Sequence, residues 1–227
     1  MKSDEMIKAA VFDIDGTLLD SSPIWYDLGA RILRSLGITP REGLHKTLSE
    51  LSLKEGAEYL CSSYPLPVDE AGLLEMTDKL VSGFYLEEVA AKEGAPKLLE
   101  ALKRRGVKMA LATAGNARLS CAALERLGLM GYFPVVCSCE EYGGKNSPEV
   151  FLAAAEKLGA LPAETIVFEN SLYALLTAKN AGFATAAVKD TAEHMQEELA
   201  KAADFYCERL SELLLRDDFL AAVNGEE

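Results

Sequence analysis

The chain has 227 residues, of which 49% are hydrophobic and 26% charged, and its formal net charge is −13. Those proportions belong to a globular protein with a sizeable core, built as one domain or as one domain carrying an insertion. The negative charge excludes nucleic acid as an expected partner, because phosphate contacts need clustered Lys and Arg, and no apolar stretch approaches the ~20 residues of a membrane helix.

In chain order, "MKSDEMIKAAVFD" lacks a cleavage site of small residues, and its apolar segment runs straight into acids. It predicts a first strand over 7–13 rather than a signal peptide, and hence a cytoplasmic protein. From residue 20 to about 90 the patterns are helical: "PIWYDLGARILRSLG", "HKTLSELSLKEGAEYL" and "VDEAGLLEMTDKLVSGFYLEEVAA", with no clear strand among them. Thereafter apolar, β-branched runs alternate with amphipathic ones. Strands are predicted at "VKMALAT" (107–113), "YFPVVCS" (132–138), "TIVFE" (165–169) and "FATAAVK" (183–189). The intervening segments "APKLLEALKRRG", "NARLSCAALERLG", "SPEVFLAAAEKLG" and "SLYALLTAKNAG" each end in Gly, a helix stop. Ser147, Pro148 and Glu149 form a helix start, and the tail "DDFLAAVNGEE" reads as a fraying end. Alternating β and α predicts a doubly wound parallel α/β sheet, a Rossmann-like core of 1–19 and 91–227, interrupted by a helical insertion over 20–90.

The five cysteines (61, 121, 137, 139 and 207) are odd in number and do not form a disulfide framework. Cys137 and Cys139 make a lone C-x-C without a second pair or a nearby histidine, so buried thiols are expected there and not a zinc site.

Ligands of open α/β sheets bind outside the carboxyl ends of the strands. The polar residues at those ends are Asp13 and Asp15, Thr113, Lys145 in "EEYGGKNSPE", and Glu169 with Asn170. Each alone has a plain reading. Asp15-Gly16 could be a hairpin turn, Thr113 could cap the helix after it, and Asn170 or Ser171 could cap the next. A loop lysine is ordinarily a solvated charge, and removing Lys145 from its Gly-rich loop is expected to cost little stability. Their joint placement at successive strand ends is what those readings leave unexplained.

"DIDGT", "LATAG", Lys145 before a Ser-Pro helix start, and "VFENSLYALLTAKNAG" resemble, in order, the four motifs of the haloacid dehalogenase superfamily. The helical insertion is similar to the cap of its phosphatase and β-phosphoglucomutase branch. The resemblance implies a magnesium-dependent phosphatase of a small phosphorylated metabolite. Asp13 is then the nucleophile that forms an aspartyl-phosphate, and Asp15 the general acid and base. Mg2+ is held by Asp13, the Asp15 carbonyl, Glu169 and Asn170, while Thr113, Ala114, Gly115 and Lys145 hold phosphate oxygens. An acid at position 15 favours an oxygen leaving group, because the dehalogenases of the superfamily lack one there. Asn170 departs from the aspartate common among these enzymes, which lowers the expected metal affinity and leaves a weakly active or non-catalytic phosphometabolite-binding protein as one alternative. A sugar-phosphate mutase is another, although the histidine that such mutases carry at the start of the cap is Trp25 here. Trp25, Arg41, His45 and Lys46 are the candidates for substrate contacts in the cap. The cap is expected to rock about connections near Asp20 and residues 89–94.

Overall fold

The computed structural model describes residues 6–48 and 51–224. The chain divides into two compact units, one of residues 1–20 with 89–227 and one of 21–88. In chain order, β1 (Ala9–Phe12) is followed by the helical unit, with α1 (Ser22–Ser35), α2 (Leu44–Leu48), α3 (Leu53–Ser63), α4 (Glu70–Gly83) and a π-helical turn at Phe84–Glu88. The larger unit resumes with α5 (Ala95–Arg104), β2 (Lys108–Thr113), α6 (Ala117–Arg126), β3 (Val135–Ser138), α7 (Cys139–Tyr142) and α8 (Glu149–Leu158). It closes with β4 (Thr165–Glu169), α9 (Leu172–Asn180), β5 (Ala184–Val188), α10 (Gln196–Ala202), β6 (Phe205–Cys207) and α11 (Asp217–Asn224).

The six strands form one parallel sheet in the order β3-β2-β1-β4-β5-β6. It is a Rossmann-like doubly wound sheet. All four residues of the central β1 are fully buried, as expected where both faces of a strand are covered. Residues two apart share a face. Ala9 and Val11 therefore join Ala110, Ala112, Cys137 and Val167 in one layer against Val150, Phe151 and Ala154 of α8 and Ala174 and Ala178 of α9. On the opposite face Phe12 stacks on its register partner Phe168, with ring centroids 4.2 Å apart. Small residues on one face thus admit close helices, and aromatic rings fill the other.

Three expectations change. The tail is not a fraying end. Asp217–Asn224 is a helix whose Phe219, Ala222 and Val223 are buried, and the Ile7 amide donates to the Ala222 carbonyl at 2.9 Å. The run predicted as one helix from His45 to Leu60 contains a fresh start, because Ser52 and Glu55 form a capping box that opens α3; residues 49–50 of that run lie outside the described residues. β6 is a strand that composition did not predict, only three residues long. Residues 1–5 of the first quoted segment and 225–227 of the tail likewise lie outside the described residues. Among the described residues no helix is long and apolar enough to cross a membrane, and all five cysteines are free.

Candidate active site

β1 ends at Phe12, and the Asp13 amide donates to the Phe168 carbonyl at 3.0 Å, which fixes Asp13 at the carboxyl edge beside β4. The chain then folds on itself: Thr17, Leu18 and Leu19 amides all donate to the Ile14 carbonyl. Asp15 is bridged to Leu19. This is not a hairpin, since the chain goes on into a helix.

Lys145 is reached through Gly143 and Gly144, both at positive φ, a conformation that costs other residues ~1–2 kcal/mol each. Its side chain is only 4% exposed. The ammonium donates to Asp13 Oδ1 and, at 2.6 Å, to Glu169 Oε1. It is therefore a buried ion-pair centre and not the solvated loop charge that its sequence context suggests. Burial alone would favour the neutral amine, but the Asp13 and Glu169 carboxylates outweigh it and hold Lys145 above the usual lysine range. Burial raises the Asp13 carboxyl, Lys145 pulls it down and Glu169 and Asp15 push it up, with the net result that it is raised to about 7.

Both oxygens of Glu169 accept hydrogen bonds. Its second oxygen accepts from the Asn170 amide at 3.2 Å, the Ser171 amide at 3.4 Å and the Ser171 hydroxyl at 3.1 Å. Asn170 Oδ1 accepts from the Thr17 hydroxyl at 3.5 Å, so its side chain faces the "DIDGT" loop. Neither Asn170 nor Ser171 caps α9 through its side chain.

Thr113 ends β2 and is buried; its hydroxyl accepts from the Gly115 amide at 3.1 Å. The cap of α6 is Asn116 instead, whose Oδ1 accepts from the Leu119 amide at 3.2 Å. Ala114 and Gly115 are exposed in the turn leading into the α6 N-terminus, where the helix dipole favours an anion. Ser120, one turn into α6 and buried, donates to Asp15 Oδ2 at 3.2 Å. Thr17 and Ser120 both touch candidate residues. Thr17 stands in the "DIDGT" motif but had no role assigned to it, whereas Ser120 lies in the helical run "NARLSCAALERLG" and nothing in its spacing marks it.

The larger unit thus gathers Asp13, Asp15, Thr113, Ala114, Gly115, Lys145, Glu169 and Asn170 at one edge of the sheet. For a divalent cation the test is Asp13 Oδ2, which is buried with no hydrogen-bond partner. An orphaned carboxylate oxygen costs free energy unless something positive meets it. Among the described residues no group of three or more His, Cys, Asp or Glu forms a ready-made metal cage. Mg2+ does not require one, since it binds through one or two carboxylates and keeps several waters or phosphate oxygens. The donor set fits that ion.

In the helical unit, Arg41, His45 and Lys46 line one open hollow of about 570 Å³ with Tyr26 and Arg34. His45 stacks on Tyr26, ring centroids 3.6 Å apart, and the Arg41 guanidinium covers the Tyr64 ring at 4.9 Å. Trp25 is half exposed and is not among the residues lining it.

A family model for haloacid dehalogenase-like hydrolases matches residues 7–182. The chain is 29% identical over 177 residues to a phosphorylated carbohydrates phosphatase of Thermotoga maritima, covering 78% of this chain and 82% of that protein. It is 26% identical over 222 residues to hexitol phosphatase B of Escherichia coli, covering 96% and 99% respectively. A Thermotoga maritima crystal structure with a provisional β-phosphoglucomutase designation superposes with a TM-score of 0.81 at 26% identity, over 92% of this chain and 97% of that one. With a match that spans the strand-end motifs and most of the chain, the protein belongs to the haloacid dehalogenase-like hydrolase family.

Proposed function

We propose that this hydrolase is a magnesium-dependent phosphatase that cleaves a small phosphorylated metabolite through an aspartyl-phosphate. The protein is a phosphoric monoester hydrolase. The observation that carries this reading is the buried Lys145 bonded to both Asp13 and Glu169, at the edge where Asp15 and the Thr113–Gly115 turn also lie. The names of the relatives put phosphorylated sugars and sugar alcohols first among candidate substrates.

The substrate phosphate rests against the amides of Ala114 and Gly115 and the Thr113 hydroxyl, with Lys145 neutralising charge between it and Asp13. The Asp13 carboxylate attacks phosphorus and forms the acyl-phosphate bond as the bond to the ester oxygen breaks. Asp15 gives its proton to that departing oxygen. Water then attacks phosphorus, Asp15 takes its proton, and the acyl-phosphate bond breaks to return Asp13 and release inorganic phosphate. Asp13, the Asp15 carbonyl and the strand end bearing Glu169 and Asn170 would hold Mg2+. When bound, that ion supplies positive charge that withdraws density from the phosphoryl oxygens. The helical unit is read as the cap of this enzyme.

The structural neighbour with a mutase designation supports sugar-phosphate isomerisation as a second reading, and Trp25 in place of a histidine weighs against it. The test is turnover of p-nitrophenyl phosphate and of a panel of sugar phosphates with Mg2+. Phosphate release by the native chain, abolished in Asp13→Asn with the fold intact, is expected. Isomerisation without phosphate release would establish the mutase, and no turnover of any substrate would leave a binding protein.

A further inference from the structure

The loop that carries Asp13 and Asp15 runs straight into a neck made of two chain segments. Leu19 pairs antiparallel with Ala91, the Asp20 amide donates to the Ala90 carbonyl at 2.9 Å, and the Lys92 amide donates to the Leu18 carbonyl at 2.8 Å. The same Leu19 is bridged to Asp15, and its carbonyl accepts from the Gly16 amide at 2.9 Å. Residues 90–92 are therefore joined to Asp15 by a continuous run of main-chain bridges and hydrogen bonds.

Those residues are tied down by an ion pair that the mechanism does not use. Lys92 Nζ lies 2.7 Å from Asp190 Oδ2 and also donates to the Lys189 carbonyl at 3.1 Å. The Asp190 side chain is fully buried beyond the carboxyl end of β5, and its Oδ1 accepts from the Ala192 amide at 2.8 Å. The second contact of Asp190 is with the catalytic loop itself. A Cβ added to Gly16 would meet Asn170 Nδ2 at 2.2 Å and Asp190 Oδ2 at 3.0 Å. The loop backbone thus lies directly against both carboxamide and carboxylate. A buried ion pair is a poor choice for stability alone, since apolar replacements commonly do as well. What it gives is a fixed distance and direction.

We propose that Lys92 and Asp190 are positioning residues for phosphoryl transfer: the pair anchors the neck to the end of β5 and so sets where the Asp13–Leu19 loop holds Asp15 relative to Asp13. This rests on the phosphatase reading for its rate effect, but the positional claim can be tested apart from it.

The variant is Lys92→Met with Asp190→Asn, which removes both charges together and keeps the oxygen that accepts from Ala192. Lys92→Arg, which retains the pair, serves as the conservative control. Phosphatase kinetics at saturating Mg2+ are measured beside backbone hydrogen exchange of the full chain. The double variant is expected to lose at least ~10-fold in kcat with KM little changed, since small misplacements of a reacting group cost up to ~100-fold. Exchange should quicken in peptides covering 13–20 and 89–95 while the sheet strands stay protected, and Lys92→Arg should match the native chain in both kcat and exchange. An unchanged kcat, unchanged exchange in those two peptides, or faster exchange across the whole sheet would each overturn the proposal. Absence of turnover in the native chain would defeat the phosphatase reading, and the exchange pattern would still decide the positional claim.

Discussion

Lys145 Nζ bonds Glu169 Oε1 at 2.6 Å while it also bonds Asp13 Oδ1, so one buried ammonium joins the ends of β1 and β4. Removing it does two kinds of damage. Lys145→Met should lower turnover at least ~100-fold, as loss of one preorganised charge at a transition state costs ~3 kcal/mol. It should also destabilise the fold by ~3–5 kcal/mol, because two buried carboxylates are left facing each other. The second effect reverses the sequence-based expectation for a residue in a Gly-rich loop. Urea unfolding of the variant, run beside its kinetics, checks both.

Gly115 separates activity from stability in the other direction. A Cβ there would lie 2.5 Å from Asp15 Oδ2, an atom at the end of a side chain that can swing away. Asp15 would then give up its bond from Ser120. Gly115→Ala should therefore cut kcat by ~10-fold or more through misplacement of the proposed acid. Its stability should move within ~1 kcal/mol, since the backbone is not at positive φ and alanine restricts the unfolded chain. Thermal unfolding at matched kcat measurement tests the pairing of a large kinetic effect with a small thermodynamic one.

Asn170 accepts a hydrogen bond from Thr17 of the "DIDGT" loop and brings no charge to the proposed Mg2+ site. Asn170→Asp should tighten Mg2+ binding by ~10-fold, within the range seen when groups around a metal are changed. Calorimetric titration with Mg2+ alone measures this without reference to turnover. Activity should rise at limiting Mg2+ and gain less at saturation. An unaltered affinity would mean that the carboxamide serves the loop and not the ion.

The sequence carried the sheet and the strand-end residues, because buried parallel strands read as short apolar runs and the acids, hydroxyl and amine at their ends are conspicuous against them. It carried less where a tertiary partner decides the outcome. β6 has three residues, too few for a periodic signal, and is a strand only because β5 offers an edge. The helix at Asp217–Asn224 does show Phe219, Ala222 and Val223 at helical spacing, but its terminal position suggested fraying; Phe205 and Phe168, whose rings meet Phe219, are what hold it. Ser120, Lys92 and Asp190 are far in sequence from the motifs they touch. No local pattern could bring them forward.

Asp204 offers a pH test outside the candidate active site. Burial would raise its carboxyl, but the Thr185 hydroxyl and amide and the Lys179 ammonium donate to it and hold it below the usual range. A carboxyl lowered on folding stabilises the native state above its unfolded value, near ~3.9, and that contribution fades as pH falls through the folded value. Asp204→Asn should therefore destabilise at neutral pH by ~1–3 kcal/mol, the worth of hydrogen bonds to a charged group. The gap from the native chain should narrow towards pH 3. Urea midpoints collected across that range would show the convergence, and a constant gap would contradict it.

The central position of β1 has a consequence for how this protein is made. Of the six described strands Ala9–Phe12 is synthesised before the others, it is apolar on both faces, and its two neighbours begin at Lys108 and Thr165. Until translation has passed β4, that strand has one or both edges bare, and the helical unit at 21–88 is complete long before it can be covered. Parallel pairing across such separations is slow and exposes sticky surface while it waits. Slower synthesis after residue 169 would therefore give the sheet time to close before α11 arrives and the Ile7 amide reaches the Ala222 carbonyl.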